Sequence, residues 1–301
     1  MSFTWETKNE LCRLPMGQAC CMTAESMGML LYANRFTGEE IRIQSDNPAV
    51  RSRVCKLLSA AFGVTPDEQG GTLFVRDGDA ISRIFSGFGY ERKNIALQLN
   101  RALVEEDCCK SAFLRGVFLA GGYLSDPMKS YHLELVTSHY NVSRQVMALL
   151  LDMSLAPGIL LRRGNHVLYY KDSAMIEDFL SAAGATGAAM ALMLSKVEKD
   201  LRNNVNRKVN CETANLGKTV DAAARQIAAI RRLQAAGVLD GLSPALRQTA
   251  AVRLDNPELS LSEMLPLFDP PITKPGLNNR IRKLVELAEG LDAQYRQSPN
   301  Q

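Results

Sequence analysis

The chain has 301 residues, 46% of them hydrophobic, enough for two or three compact domains with real cores. No uninterrupted run of 18 apolar residues occurs, and the start MSFTWETKNELCRL lacks the basic-then-apolar pattern of a signal peptide. The expected location is therefore the cytoplasm, with no membrane partner, and seven cysteines in an odd, partly adjacent arrangement argue against a disulfide framework.

The net charge of +3 is unevenly divided. Residues 1–195 carry 19 Lys/Arg and 20 Asp/Glu, a net of −1, whereas residues 196–301 carry 16 and 12, a net of +4. The basic excess points to polyanion binding in the last third, against an ordinary solvated surface as the alternative.

In chain order, residues 21–34 read as a helix, Glu40–Ser45 as a strand with Ile41 and Ile43 on one face, and Asn47–Phe62 as a helix. Leu73–Val75 is a short strand, followed by Asp77 where an N-cap belongs. The pattern then repeats. Cys108-Cys109-Lys110-Ser111 echoes Cys20-Cys21-Met22-Thr23 at an offset of 88 residues, and residues 109–123 again read as helix. Ser130–Ser138 alternates like a strand through Tyr131, Leu133 and Leu135; Asn141–Met153 is helical and Val167–Tyr170 a strand. Asp172 or Ser173 caps a last helix, and Gly158–Arg163 adds a strand. Leu73-Phe74-Val75-Arg76-Asp77 matches Leu168-Tyr169-Tyr170-Lys171-Asp172 at an offset of 95. Matched blocks in one order describe an α+β domain of two pseudo-symmetric halves.

Gly116 and Ala120 lie four apart on one helix face, and Gly28 occupies the corresponding place in the first copy. Glycine within a helix costs about 1 kcal/mol relative to alanine, so its placement here implies close helix–helix approach across a pseudo-twofold axis. The string Phe113-Leu114-Arg115-Gly116-Val117-Phe118-Leu119-Ala120-Gly121-Gly122 resembles the LAGLIDADG motif of homing endonucleases. That family places a metal-binding acid just before the last glycine of each motif. The corresponding positions here are Gly121 and Ala33, neither of which offers the oxygen ligand a hard cation requires. Asp126 lies five residues on, with no clear equivalent in the first copy. No catalytic residue, metal or cofactor is expected.

Helix pairing would bring Cys20 and Cys21 near Cys108 and Cys109, four thiols that could hold zinc. Adjacent side chains on a helix diverge, and the three histidines, His132, His139 and His166, lie elsewhere, so core-filling thiols are the favoured reading.

In the last third, residues 186–201 read as a connecting helix. The run Arg202-Asn203-Asn204-Val205-Asn206-Arg207-Lys208 then mixes charge with amides suited to phosphates and base edges. Thr219 is expected to cap a helix ending at Gly237, and Ser243-Pro244 opens another. Ser260-Leu261-Ser262-Glu263 is a capping box, with Leu261, Leu265 and Phe268 following at helical spacing, although Pro266 argues for a kinked or shortened helix. After the turn Asp269-Pro270-Pro271-Ile272, Thr273 caps a helix whose buried stripe is Leu277, Ile281, Leu284 and Ala288. Its outer surface carries Lys274, Asn278, Asn279, Arg282 and Lys283, with Arg280 at the margin. That suits the second helix of a helix-turn-helix in a DNA major groove; spacing alone leaves an ordinary helical hairpin open.

From end to end the chain resembles the WhiA family. The residues that carry this are 108–122, Ser-Asp-Pro-Met-Lys-Ser-Tyr-His-Leu-Glu (125–134), Asn-Arg-Lys-Val-Asn-Cys-Glu-Thr-Ala-Asn-Leu (206–216) and Asn-Pro-Glu-Leu-Ser-Leu-Ser-Glu (256–263). Pro266, where glycine is expected, and Pro275 in the first turn of the last helix depart from the family pattern. The resemblance implies a degenerate LAGLIDADG-like domain joined to an all-α C-terminal helix-turn-helix domain, in a non-catalytic regulator of sporulation or cell division. The expected division is 1–92 and 93–185 for the two halves, 186–218 for a linker helix and basic segment, and 219–301 for the helix-turn-helix domain. The expected partner is double-stranded DNA, with a nucleoid-associated location. Asn278, Asn279 and Arg282 would read bases, Arg280 would stand beside them, and Lys274, Lys283, Arg202, Arg207 and Lys208 would contact phosphates. The alternative partner is another regulator or RNA polymerase; no small-molecule ligand is expected.

Overall fold

The computed structural model describes residues 2–90 and 97–296. The expected boundary at 92/93 lies outside the described residues. The chain divides into two compact units, residues 1–200 and 201 onward. No helix among the described residues is long and apolar enough to cross a membrane.

The first unit opens with α1 (Phe3–Arg13) and then runs one plan twice. The first pass is α2 (Ala19–Leu31), β1 (Arg35–Phe36), β2 (Ile41–Gln44), α3 (Pro48–Phe62), β3 (Asp67–Gln69), β4 (Thr72–Val75) and α4 (Gly78–Gly87). The second is α5 (Asp107–Gly121), β5 (Gly122–Leu124), β6 (Leu133–Thr137), α6 (Tyr140–Asp152), β7 (Gly158–Arg162), β8 (Asn165–Tyr170) and α7 (Ser173–Ala183). Each pass builds a four-stranded antiparallel sheet, ordered β1-β2-β4-β3 and β5-β6-β8-β7. The same strand order twice is the duplication seen in three dimensions.

The caps explain the boundaries. Asn47 Oδ1 accepts from Ala49 N (2.9 Å), and Pro48 starts α3 with a fixed φ. Asp77 accepts from Ala80 N (2.9 Å) and Asp172 from Ala174 N (2.9 Å), so the two matched aspartates cap α4 and α7 alike. Ile41 and Ile43 face the core while Arg42 and Gln44 face outward, the alternation of a half-buried strand.

The unit is richer in strands than expected. β1 and β3 are two and three residues long, too short for a period, and β3 is exposed throughout. The helix expected over 109–123 stops at Gly121, where Gly122–Leu124 turns into β5, and the strand expected over Ser130–Ser138 narrows to Leu133–Thr137.

The core is organised by α2 and α5, which run side by side across the pseudo-dyad. A Cβ on Gly28 would press on the Phe113 carbonyl and lie 3.0 Å from Val117 N; one on Gly116 would press on the Glu25 carbonyl and lie 3.0 Å from Met29 N. The two contacts are related by the pseudo-twofold rotation, and only glycine allows either. Beside this seam Glu25 is fully buried and ion-paired to Arg53, whose Nη2 donates to Glu25 Oε2 at 2.9 Å. Arg115 Nη1 stands 3.5 Å from the same oxygen, so one carboxylate ties α2 to α3 and α5.

α8 (Thr186–Ala235) is a single 50-residue helix. Glu10 of α1 caps its start, accepting from Gly187 N (2.6 Å) and Ala188 N (2.9 Å). The connecting helix expected over 186–201 runs on through the basic segment, and the cap expected at Thr219 is overturned: the Thr219 hydroxyl donates to the Asn215 carbonyl (2.9 Å), a back-bond that lets threonine continue a helix. Residues 200–218 of α8 are exposed.

In the second unit α9 (Pro244–Asp255), α10 (Leu261–Met264) and α11 (Lys274–Arg296) follow. Two small cores hold them: Ala229, Ile230 and Leu233 of α8 with Leu246, Ala250, Leu284 and Ala288, and Met264, Phe268, Leu277 and Ile281.

Candidate nucleic-acid interface

The Ser260 capping box forms as expected: Glu263 N donates to Ser260 Oγ (3.4 Å) and Ser260 N to Glu263 Oε2 (2.8 Å). The helix it opens is a single turn. At Leu265–Leu267 the backbone tightens into a 3-10 turn containing Pro266, which has no N–H for an α-helical bond. Met264, absent from the expected stripe, is fully buried instead of Leu265. The turn into α11 is held from α9, where Gln248 Nε2 donates to the Asp269 carbonyl (3.0 Å). Thr273 Oγ1 then accepts from Gly276 N (3.3 Å), the expected cap, and Pro275 sits harmlessly in the first turn, where its missing N–H is not needed.

α11 buries Leu277, Ile281, Leu284 and Ala288, each at 3% exposure or less. Lys274, Asn278, Asn279, Arg282 and Lys283 are exposed, and Arg280 is half-buried at the margin. Arg282 Nε stands 3.5 Å from Glu286 Oε1, one turn on, an exposed pair that a phosphate or base edge can displace at little cost.

Arg202, Arg207 and Lys208 are exposed along α8, not gathered with the α11 residues. At about 1.5 Å rise per residue, Lys208 stands roughly 15 Å along the helix from Lys218 and Arg202 roughly 24 Å. Lys218, which no local pattern singles out, stands nearer to α11 in the fold. It lines a groove of about 260 Å³ with Gln226, Ser260, Ser262 and Lys274. Two lysines and serine hydroxyls share this groove with the apolar side chains of Ala222, Ala223, Leu259 and Leu261, beside the Ser260-capped start of α10. Nothing local in the sequence marks Lys218; only the continuity of α8 places it there.

Arg253 was also missed. Its side chain is buried, with Nη1 donating to the Leu259 carbonyl (2.5 Å) and contacting Met264 Sδ (3.0 Å), so it fixes the loop leading into α10. Burial holds its pKa below the ordinary guanidinium value.

In the first unit, the positions that would bear metal-binding acids are closed. Ala33 is buried, and a side chain on Gly121 would strike the Tyr32 ring and the Val136 carbonyl, the latter at 2.6 Å. Asp126 is exposed and accepts from Met128 N (2.9 Å), a turn contact. At the other ends of α2 and α5 the divergence expected of the paired cysteines is not found: the Sγ atoms of Cys20, Cys21, Cys108 and Cys109 all lie within 4.8 Å of one another.

Comparison with known proteins agrees with this arrangement. The family profile described as the WhiA LAGLIDADG-like domain matches residues 110–202, and that of the WhiA C-terminal HTH domain matches residues 205–288. The chain is 36% identical over 305 residues to a protein of Ruminiclostridium cellulolyticum named probable cell division protein WhiA, covering 96% of this chain and 97% of that one. It is 37% identical over 308 residues to the protein of that name in Carboxydothermus hydrogenoformans, covering 96% and 97%. The crystal structure of full-length DUF199/WhiA from Thermotoga maritima superposes with a TM-score of 0.60 at 25% identity, over 96% of this chain and 98% of that one. The chain belongs to the WhiA family, with a LAGLIDADG-like domain and a C-terminal helix-turn-helix domain.

Proposed function

We propose that this protein is a sequence-specific, non-catalytic DNA-binding regulator of transcription acting in cell division, chromosome segregation or sporulation. The observation that carries the reading is the two-sided character of α11. Its apolar stripe is consumed by the core, while Lys274, Asn278, Asn279, Arg282 and Lys283 remain exposed on the rest of its surface. Asparagine and arginine at that place suit the hydrogen-bonding edges of adenine and guanine in the major groove. Lys274, Lys283 and Lys218 supply phosphate contacts, and Arg202, Arg207 and Lys208 extend them along α8. The names of the relatives support the cell-division setting.

The test is a mobility-shift assay on genomic fragments, followed by footprinting. Lys274→Glu with Arg282→Glu should abolish specific binding, and unchanged binding refutes the assignment. Affinity should fall with salt at a log–log slope of about −0.9 per phosphate contact. Magnesium-dependent cleavage of duplex DNA by the purified chain would refute the non-catalytic reading.

One observation favours a partner-binding role for the first unit alongside this. Ile159 and Leu161 are exposed at 50% and 67% on β7, an edge strand of the second sheet. Exposed aliphatic side chains at a sheet edge suit another regulator or RNA polymerase better than a polyanion.

A further inference from the structure

The start of each motif helix carries two adjacent cysteines, and the fold brings all four together. Cys20 and Cys21 occupy the first turn of α2, and Cys108 and Cys109 the first turn of α5. The sulfurs of each adjacent pair are 4.0 and 3.9 Å apart, and no two of the four are more than 4.8 Å apart. Four sulfurs around a zinc ion at about 2.3 Å stand roughly 3.8 Å from one another, so a contraction of under about 1 Å completes a tetrahedral S4 set. We propose that Cys20, Cys21, Cys108 and Cys109 form a structural zinc site that clamps together the N-terminal ends of α2 and α5.

Three features support this beyond the distances. First, the cluster has an inside and an outside: Cys21 and Cys109 are buried, whereas Cys20 and Cys108 are exposed, so an ion has an entry path and a rigid floor. Second, neither helix has a side-chain cap; Gln18 and Glu106 stand at the cap positions without making that bond. The positive ends of two helix dipoles therefore face the thiolates and offset the charge of a tetrathiolate complex. Third, the site is remote from the four other cysteine-independent features of the seam: Gly28 and Gly116 lie about two turns along each helix, and Ala33 and Gly121 at its far end, roughly 18–20 Å away. Four sulfur ligands leave no position open for water or substrate, so the ion acts as a staple and not as a catalyst. On binding, the four thiols give up their protons to solvent as four metal–sulfur bonds form. The thiols are already unlike one another. Hydrogen bonding, chiefly with Cys109, holds Cys20 below the ordinary thiol value, while burial pushes Cys21 and Cys109 up.

The test uses the full chain, purified with a non-chelating reductant so that all thiols are reduced, and titrated with cobalt(II). The expected result is one cobalt per chain with the sulfur-to-cobalt charge-transfer and d–d absorption of a tetrahedral tetrathiolate. One equivalent of zinc should bleach it, and melting should move to higher temperature with either metal. Cys20→Ser with Cys108→Ser, changing the two exposed members, should lose the absorption and the melting shift, whereas Cys55→Ser with Cys211→Ser should keep both. Independently of any variant, cadmium should protect the exposed cluster members Cys20 and Cys108 from alkylation, read by peptide mass mapping, and leave the exposed Cys211 as reactive as it is without metal. Absent or substoichiometric uptake by the reduced, folded chain overturns the proposal. So does cobalt absorption that survives the Cys20/Cys108 double substitution, or cadmium protection that extends equally to Cys211.

Discussion

Tyr32 and Gly121 share one volume at the end of the helix seam: a side chain added at 121 would enter the Tyr32 ring. Tyr32 is 6% exposed, its phenol oxygen has no hydrogen-bond partner among the described residues, and burial pushes its pKa up. An apolar plug therefore stands where a cation would need charged oxygens. Gly121→Asp is expected to lower stability by at least about 2 kcal/mol, since an overpacked core that must also bury a carboxylate relieves neither strain nor charge. Denaturant unfolding measures the loss, and the variant should show no magnesium-dependent cleavage of duplex DNA. A variant as stable as the parent would mean that Tyr32 vacates the space freely.

The triad of buried Arg53 and Glu25 with partly buried Arg115 makes a different demand. Arg53 also donates through Nη1 to the Leu14 carbonyl (2.7 Å), so it joins the loop after α1 to the seam. Glu25→Gln removes the one negative charge facing two guanidiniums and should cost about 3–5 kcal/mol, the range for orphaning a buried charge. Replacing Glu25 and Arg53 together with Met and Leu should cost less than the single change. Chemical unfolding of the three chains compares them, and a double variant weaker than Glu25→Gln would contradict the desolvation argument.

What could be read from the sequence was local. Asp77 and Asp172 announce their helices, Ile41 and Ile43 alternate, and the Ser260 capping box forms as its spacing requires. Gly28 and Gly116 were legible because the repeat aligned them, and a pair of glycines costs too much to be idle. Glu25, Lys218 and Arg253 were not legible, because each takes its meaning from a partner brought near only by the fold. Thr219 misled for a physical reason: the same hydroxyl that caps a helix start can bond back to the carbonyl four residues earlier, and the choice rests on packing beyond it. The cysteines misled in the opposite sense: neighbouring side chains on a helix point in different directions, yet with Cys21 and Cys109 buried and Cys20 and Cys108 at the surface all four sulfurs stay within 4.8 Å of one another.

The α11 surface and the Lys218 groove should separate in DNA binding. Asn278→Ala, at a position proposed to meet a base edge, should cost about 1–3 kcal/mol on the cognate site, with little effect on nonspecific DNA. Lys218→Ala should weaken cognate and nonspecific binding alike and reduce the salt slope by about 1. Competition binding at several salt concentrations distinguishes them. Equal, salt-independent losses from both variants would mean that neither residue touches DNA and that both act through stability.

Lys8 supplies a pH signature. Its amine is half-buried against the Phe118 ring, with Nζ 6.0 Å from the centroid, and burial lowers its pKa from 10.5 to about 8. A base whose folded-state pKa is depressed opposes folding while it must be charged. Between about pH 8 and 10.5 the unfolded chain binds more protons than the folded one, so stability rises with pH across that window, and the penalty is fully present below it. Lys8→Met should therefore stabilise the protein by up to about 3 kcal/mol at pH 7, an advantage that shrinks toward zero as the pH approaches 10.5. Urea unfolding of both chains at pH 7, 9 and 10 follows the difference. A gain constant across that range would assign the effect to packing against Phe118 and leave no role for the buried charge.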